Sequence, residues 1–581
     1  MRRSVIPAWA GALAGLVAAA LSLGLAQLVA AVIRPEAAPV IAVGDAVVDL
    51  TPAPIKDWAI ATFGENDKNV LIAGVLVLLA VAAAGIGTLA ARRIGYGQAG
   101  LAAFAAVGVW AVMTRPDAGP ADALPTVLGA AAGAWALGWL VRRAYGTPVT
   151  ASAPAELPKP PPSPEPSEPP GPSGPPEASG FPEASGPPGL SGSPGPSGSP
   201  EGSGPPEPSG PSGSPEPSEW PTVHPVGAVF DRRRLLIGAA GGLVVAGASA
   251  ALGRVWSGSQ AVDAVRSELS LPLATRPAPP LPRGVDLRLN GLTPFVTDNR
   301  EFYRVDTALI LPRIDPKDWT LRIHGMVDRP VELSYADLLN RPLTEADVTL
   351  ACVSNEVGGT LTGNARWLGV RLADVLREAG VQKGADMLLS TSDDGWTCGT
   401  PVDVVMDGRN ALLAVGMNGE PLPLAHGFPV RQVVPGLYGY VSATKWVVDI
   451  KVTRFDRDEA YWTPRGWSAK GPIKTQSRID LPRGSVAAGR TTIAGVAWAQ
   501  HTGVAAVEVR VDGGAWQRAR LAEAPTADTW RQWALDWEAA PGEHTIEVRA
   551  TDAAGRTQTE RRAPSAPDGA TGWHTVTVRV T

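Results

Sequence analysis

Two cysteines occur in the 581 residues, and each stands where a sulfur could do chemistry. Cys352 lies in Ala351-Cys352-Val353-Ser354-Asn355-Glu356-Val357-Gly358-Gly359, with Asn364-Ala365-Arg366-Trp367 just beyond. A small, polar, glycine-rich turn can present a cysteine sulfur as a soft metal ligand, and the same residue type also serves as a small buried hydrophobe. Cys398, in Thr397-Cys398-Gly399, is an equal candidate by residue type. Spacing therefore leaves the metal unnamed, and nothing in the sequence brings the two cysteines to disulfide distance.

The elements that must position these residues come from a region starting near Val285, after a proline-rich tether at 271–283. Short Val, Ile and Leu runs such as 319–323 and 445–452 alternate with helical stretches at 334–339 and 372–378, separated by glycine and asparagine turns. That alternation predicts an α+β domain over 285–478, large enough to enclose a cofactor cleft. From about Ile479 only strand patterns remain, at 492–498, 504–511, 543–550 and 575–580, with an Asp512-Gly513-Gly514 turn. They predict a β-sandwich over 479–581 whose role is structural.

Upstream the composition changes. Five apolar stretches occur at about 8–33, 69–91, 97–114, 124–141 and 235–252. Each approaches or exceeds the roughly 20 residues that cross hydrocarbon as a helix. They predict an all-α transmembrane region of four helices over 1–145 and a fifth helix within 226–256, joined to the α+β region by a tether at 257–284. Arg2-Arg3, Arg92-Arg93, Arg142-Arg143 and Arg232-Arg233-Arg234 flank these stretches. Keeping all four clusters cytoplasmic satisfies the alternation of five spans and puts everything after about residue 255 outside. Residues 146–225, dominated by Pro, Gly, Ser and Glu, have too little apolar surface to offset ordering entropy and predict a disordered cytoplasmic linker. No basic region is broad or aromatic enough to suggest nucleic acid.

The Cys352 run resembles the cofactor-binding signature of the sulfite-oxidase family, in which one cysteine thiolate binds molybdenum carried by molybdopterin. The resemblance continues through Gly369-Val370-Arg371-Leu372-Ala373-Asp374-Val375-Leu376, His426-Gly427-Phe428-Pro429-Val430-Arg431, Val434-Pro435-Gly436, Lys445-Trp446 and Pro472-Ile473-Lys474-Thr475-Gln476-Ser477-Arg478-Ile479. It implies a multidomain protein in which the α+β domain binds molybdopterin and the C-terminal sandwich is immunoglobulin-like, of the kind that supports a homodimer. It also implies Cys352 as the metal ligand, without a disulfide. His426, Arg431, Lys445, Asn355 and Asp306 would then hold the cofactor, and Tyr461, Arg304 and Arg431 would serve catalysis.

An imidazole, a planar fork and a point charge suit a long ligand studded with nitrogens and phosphate oxygens. Arg304 with Arg431 would neutralise a substrate oxyanion, and the Tyr461 hydroxyl would suit an oxyanion pocket. Two departures bear on substrate: the run here is Arg304-Val305-Asp306 where sulfite oxidases carry Arg-Asn-His, and Asn355-Glu356-Val357 lacks the adjacent arginines of animal and plant members. Fewer positive charges weaken the case for a dianion such as sulfite.

The expected activity is two-electron oxygen-atom transfer on a small oxyanion or sulfur compound, with a cytochrome- or quinone-linked electron partner. Sulfoxide reduction and a noncatalytic binding module are the alternatives. Phe230-Asp231-Arg232-Arg233-Arg234-Leu235-Leu236-Ile237-Gly238 resembles a twin-arginine export signal, which suits a domain that must cross the membrane folded around its cofactor; the same arginines could also act as a plain positive anchor. None of the six histidines lies within the five apolar stretches, so no bis-histidine haem is expected in the spans of this chain.

Overall fold

The computed structural model describes residues 6–52, 55, 62, 67–115, 118–144, 231–256 and 259–581. The expected linker at 146–225, and Phe230 at the start of the arginine motif, lie outside the described residues.

Ala-, Leu- and Val-rich sequence forms helices α1 (Ala8–Ile33), α2 (Pro39–Leu50), α3 (Asp67–Arg92), α4 (Ile94–Met113), α5 (Leu124–Ala144) and α6 (Arg232–Trp256). Among the described residues, four stretches are long and apolar enough to cross a membrane: Ala8–Ile33, Val70–Arg92, Ile94–Met113 and Pro120–Ala144. The fifth expected stretch is helical within α6. Helix α2, between the first two spans, is an element the hydropathy reading did not anticipate.

Helix α1 packs against α3 and α6 through glycines, because a Cβ at Gly15 would fall 2.0 Å from the Ala83 carbonyl oxygen and one at Gly24 would fall 2.7 Å from that of Ala246. In an apolar surround, such backbone approach supplies the packing that hydrophobic burial cannot. Ile6, Ala10, Ala90, Ala91, Ala144 and Leu235 share one core, so the arginines at 92–93, 142–143 and 232–234 gather at one end of the helices. At α1's far end Arg34 pairs with Asp122 (3.4 Å) and Arg115 donates to the Glu36 carbonyl (2.6 Å).

Helix α7 (Ser259–Glu268) follows, and its Arg266 donates to the carbonyls of Leu422 (2.7 Å) and Pro421 (2.8 Å), tying the tether to the next domain. That domain holds two sheets. One runs β3-β4-β7-β8, with β9 also on β7: β3 (Leu343–Ala351), β4 (Thr362–Arg371), β7 (Leu412–Met417), β8 (Glu420–Pro421) and β9 (Arg431–Val433). The other runs β2-β1-β10-β5-β6: β1 (Thr320–Gly325), β2 (Val331–Ser334), β5 (Met387–Ser392), β6 (Thr397–Pro401) and β10 (Val447–Thr453), with β1 and β10 parallel.

Helices α8 (Tyr335–Leu339), α9 (Leu372–Ala379) and α10 (Val402–Met406) complete the domain. Ser334 caps α8 by accepting from the Asp337 amide (3.1 Å), while the Asp337 carboxylate accepts from the Ser334 amide (2.9 Å), a reciprocal cap readable from the residue spacing. The expected helices at 334–339 and 372–378 are thus found. The expected strand at 445–452 starts two residues late: Trp446 takes a left-handed φ of +48°, turning Lys445 out of the ladder.

The C-terminal region folds as two facing sheets. The first runs β11 (Gln476–Leu481), β13 (Gly489–Trp498), β17 (Arg531–Ala539), β16 (Arg520–Leu521). The second runs β12 (Ser485–Val486), β19 (His574–Val580), β18 (Gly542–Asp552), β14 (Val504–Val511), β15 (Gln517–Arg518). Ile479, Ile493 and Trp533 of the first meet Val507, Ile546, Val548 and Val578 of the second in one core. The segment at 285–297 packs on this region: Val285 and Phe295 join Val496, Trp498 and Trp530, and the Trp530 indole donates to the Phe295 carbonyl (2.9 Å).

Candidate active site

Strand β3 delivers Cys352 to the start of a loop closed upon itself. The Cys352 amide donates to the Leu361 carbonyl (2.9 Å), the Asn355 amide to the Cys352 carbonyl (3.1 Å), and the Leu361 amide to Asn355 Oδ1 (2.8 Å). The buried Asn355 carboxamide, expected to bind cofactor, uses its oxygen to brace the loop that carries Cys352. From outside, Arg478 Nη1 donates to the Gly359 carbonyl (2.9 Å) while its fork is held by Asp480 (2.7 Å), and the His574 ring packs directly over Gly358. Burial pushes the Cys352 thiol up, opposed by the Ser354 hydrogen bonds and the Lys445 charge.

The segment between β8 and β10 supplies the cations. Gly427 has φ +105°, and a Cβ there would lie 2.9 Å from Arg431 Cβ and 3.1 Å from Lys445 Cα, so glycine lets His426, Arg431 and Lys445 converge. Arg431 is buried, donates to the His426 carbonyl (3.1 Å) and lies over the Trp367 ring (5.0 Å). Burial lowers its pKa to about 10. Lys445 is buried as well and is lowered to about 8 by burial, with Asp306 opposing and Arg431 adding to the fall. His426 Nε2 sits 2.9 Å from the Asn299 carbonyl, so Nε2 bears the hydrogen. Burial, then the Lys445 and Arg431 charges, hold the imidazole neutral with a pKa of about 3, leaving Nδ1 a bare acceptor.

Asp306 lies within this cluster but faces its cations: Lys445 Nζ is 2.8 Å away, and Arg304 reaches it through Nε (2.9 Å) and Nη2 (3.3 Å). Tyr461 lies where the β5–β6 hairpin meets the loop after β10, its amide donating to Thr397 Oγ1 (2.9 Å) and Arg465 stacking on its ring at 3.7 Å. The adjoining Trp462 and Trp467 reach Ala351 and Val353, which places Tyr461 at the rim of the Cys352 loop.

Sequence reasoning missed two groups. Tyr303 feels the charges of Cys352 and Arg431, and Asp394 those of Asp306 and Lys445. Burial pushes the Asp394 carboxyl up. Adjacency to Arg304 was the one signal for Tyr303; for Asp394 there was none short of knowing that the 393–396 turn meets Trp446, whose carbonyl accepts from the Asp393 amide (2.9 Å).

Of the buried polar atoms that lack a hydrogen-bond partner among the described residues, two, His426 Nδ1 and Arg431 Nε, belong to this cluster. Such atoms cost about 1–3 kcal/mol each when left unsatisfied, so they mark where a ligand with donors and acceptors fits. Among the described residues no group of three or more His, Cys, Asp or Glu could hold a metal. A buried thiol in one cluster with an acceptor nitrogen, a guanidinium and an ammonium suits a metal whose other ligands come from a pterin carrying phosphate.

The comparisons agree. The profile of the oxidoreductase molybdopterin binding domain matches residues 308–462. The chain is 36% identical over 157 residues to the uncharacterized oxidoreductase YuiH of Bacillus subtilis, covering 27% of this chain and 76% of that one. It is 30% identical over 351 residues to sulfite oxidase of Gallus gallus, covering 49% and 75%. With mitochondrial sulfite oxidase of Homo sapiens it is 32% identical over 323 residues, 46% of this chain, and spans 58% of the human protein. The crystal structure of the sulfane dehydrogenase SoxCD from Paracoccus pantotrophus aligns with TM-score 0.44 and 25% identity over 50% of this chain and 82% of that one.

The chain belongs to the sulfite-oxidase family of molybdopterin oxidoreductases, and it is an enzyme.

Proposed function

We propose that the protein is a membrane-anchored molybdenum enzyme that transfers an oxygen atom to or from a small sulfur compound or oxyanion outside the cytoplasm and exchanges electrons with a cytochrome- or quinone-linked carrier. The observation that carries this reading is the convergence of Cys352 with buried His426, Arg431 and Lys445, two of which keep polar atoms unpaired among the described residues. When bound, molybdenum–molybdopterin supplies the two-electron couple and the oxygen-atom chemistry.

The chain's own residues hold and tune. Cys352 ligates the metal as thiolate, favoured by Lys445. Lys445 and Arg431 bind phosphate or substrate anion, and His426 Nδ1 accepts a pterin N–H. Asp306 keeps Lys445 and Arg304 charged and in place. Tyr461 closes the rim, the helices α1 and α3–α6 anchor the enzyme, and the C-terminal sandwich pairs two copies.

Within this reading the direction of transfer is open to a specific observation. Arg304 and Lys445 share Asp306, so the positive charge available to a dianion is reduced. That favours an uncharged sulfur substrate, such as a sulfoxide to be reduced, over sulfite.

Metal and pterin analysis of the purified membrane protein, followed by assays of sulfite oxidation and sulfoxide reduction, tests both readings. Molybdenum with turnover of either substrate supports the enzyme. Protein made in cells with an intact cofactor pathway and still lacking molybdenum overturns it. Changing Arg232, Arg233 and Arg234 together to lysine keeps the charge, so protease accessibility of the C-terminal region on spheroplasts should fall only if twin-arginine export is used.

A further inference from the structure

Tyr303 stands in the run 302–306 between a pinned aromatic and the Arg304–Asp306 pair. Phe302 is buried with its ring edge-on to Trp367 (5.8 Å, 90°) and to His426 (5.5 Å, 79°). A Cβ on Gly363 would come within 2.8 Å of the Phe302 ring, so that ring has one place to be. Tyr303 stacks on Phe302 at 5.3 Å and 21°, which fixes the direction of its phenol. The phenol oxygen and the carbonyl of Ala351, the residue before Cys352, both lie 3.7 Å from where a Cβ on Gly439 would stand, so Gly439 has the phenol and the strand end that carries Cys352 as its two nearest neighbours.

Tyr303 lies within electrostatic reach of both Cys352 and Arg431. Burial pushes the phenol far up, so it stays a protonated donor at every working pH.

We propose that Tyr303 is a catalytic hydrogen-bond donor, its O–H directed with the Arg431 guanidinium at the oxygen of the bound substrate or product beside Cys352. The assignment rests on the molybdenum reading above. A neutral O–H next to a fixed, water-poor cation is a donor set suited to charge developing on oxygen, because neither group must reorganise as that charge grows. Tyr461, at the rim with Arg465 over its ring, then shapes access rather than supplying the inner donor.

Tyr303→Phe removes one oxygen atom and leaves the stack on Phe302. Loss of one such donor lowers kcat by roughly a hundredfold to a thousandfold. We expect unchanged molybdenum and pterin content, a fall of that size confined to kcat, and loss of the exchangeable-proton coupling in the Mo(V) electron paramagnetic resonance signal when water is compared with D2O. Tyr335→Phe, at a buried phenol packed on Trp319 away from this cluster, is the control and should leave kinetics unchanged.

Parent kinetics and an unchanged proton coupling in molybdenum-loaded Tyr303→Phe would overturn the assignment alone. Loss of pterin in that variant would also overturn it, moving Tyr303 to cofactor retention. A parent protein without molybdenum would instead sink the functional reading, and this assignment with it.

Discussion

The Cys352 loop and the Cys398 strand are two regions of one domain that treat the same side chain in opposite ways. Burial pushes both thiols up, but Cys352 keeps 9% of its surface exposed and Cys398 none. Around Cys398 the neighbours are hydroxyls: Thr400 Oγ1 at 3.7 Å from the sulfur, with Ser390 and Thr444 paired at 2.7 Å alongside. Around Cys352 stand the Ser354 amide and hydroxyl and, beyond them, the Lys445 ammonium, a cation with no counterpart among the groups acting on Cys398. Thr444 and Lys445 are consecutive, so one short segment offers a hydroxyl to the first sulfur and a cation to the second. Charge, more than burial, separates the two cysteines here.

The sharpest break of that comparison is Cys352→Ser against Cys398→Ser. The first should cut molybdenum-dependent turnover by at least about a hundredfold, and the second should leave it within about twofold. Equal turnover of Cys352→Ser and parent at matched metal loading would end the distinction.

Next in size is Arg431→Gln, which removes a buried cation and its charge-assisted contacts, worth about 2–3 kcal/mol. Full metal and pterin with kcat/KM down tenfold or more would place Arg431 on substrate. Lost pterin would place it on cofactor, and normal kinetics with full cofactor would remove it from the site.

A smaller effect belongs to pH. Lys445 is a cation below its lowered pKa of about 8 and neutral above it, so its attraction for phosphate is present below pH 8 and lost as pH rises through that value. Reconstitution of apoprotein with cofactor should weaken above about pH 8, and Lys445→Arg should carry the limit upward; a flat profile in the parent would show that Lys445 does not bind the anion. The smallest expected change is in stability. Because three hydroxyls already surround Cys398, serine there finds partners, and chemical denaturation should register a loss under about 1 kcal/mol.

How much of this was legible in the sequence follows the range of the interactions involved. The reciprocal cap at Ser334 and Asp337 is local, and so was readable. The motif containing Cys352 was readable as a pattern, though Asn355's work inside the loop was not, because it depends on closure at Leu361. Lys445 was read as a strand residue; the left-handed turn at Trp446 follows a contact of its indole with the Leu424 carbonyl (3.1 Å), which no local preference encodes. Assigning 285–297 to the sandwich needed Phe295 and Trp530, far apart in the chain, to meet. Tyr303 stayed hidden because its role depends on rings contributed by three separate segments.

The brace on the Cys352 loop has a consequence in time. Arg478 grips the Gly359 carbonyl, and the His574 ring, held by the Ile479 amide at 2.9 Å, covers Gly358. A ribosome emits Cys352 long before it emits His574, so a nascent chain carries the cysteine while one wall of its loop is still unmade. Translation must pass residue 574 before the loop has all its supports, and a polypeptide that stops short of it leaves Gly358 uncovered.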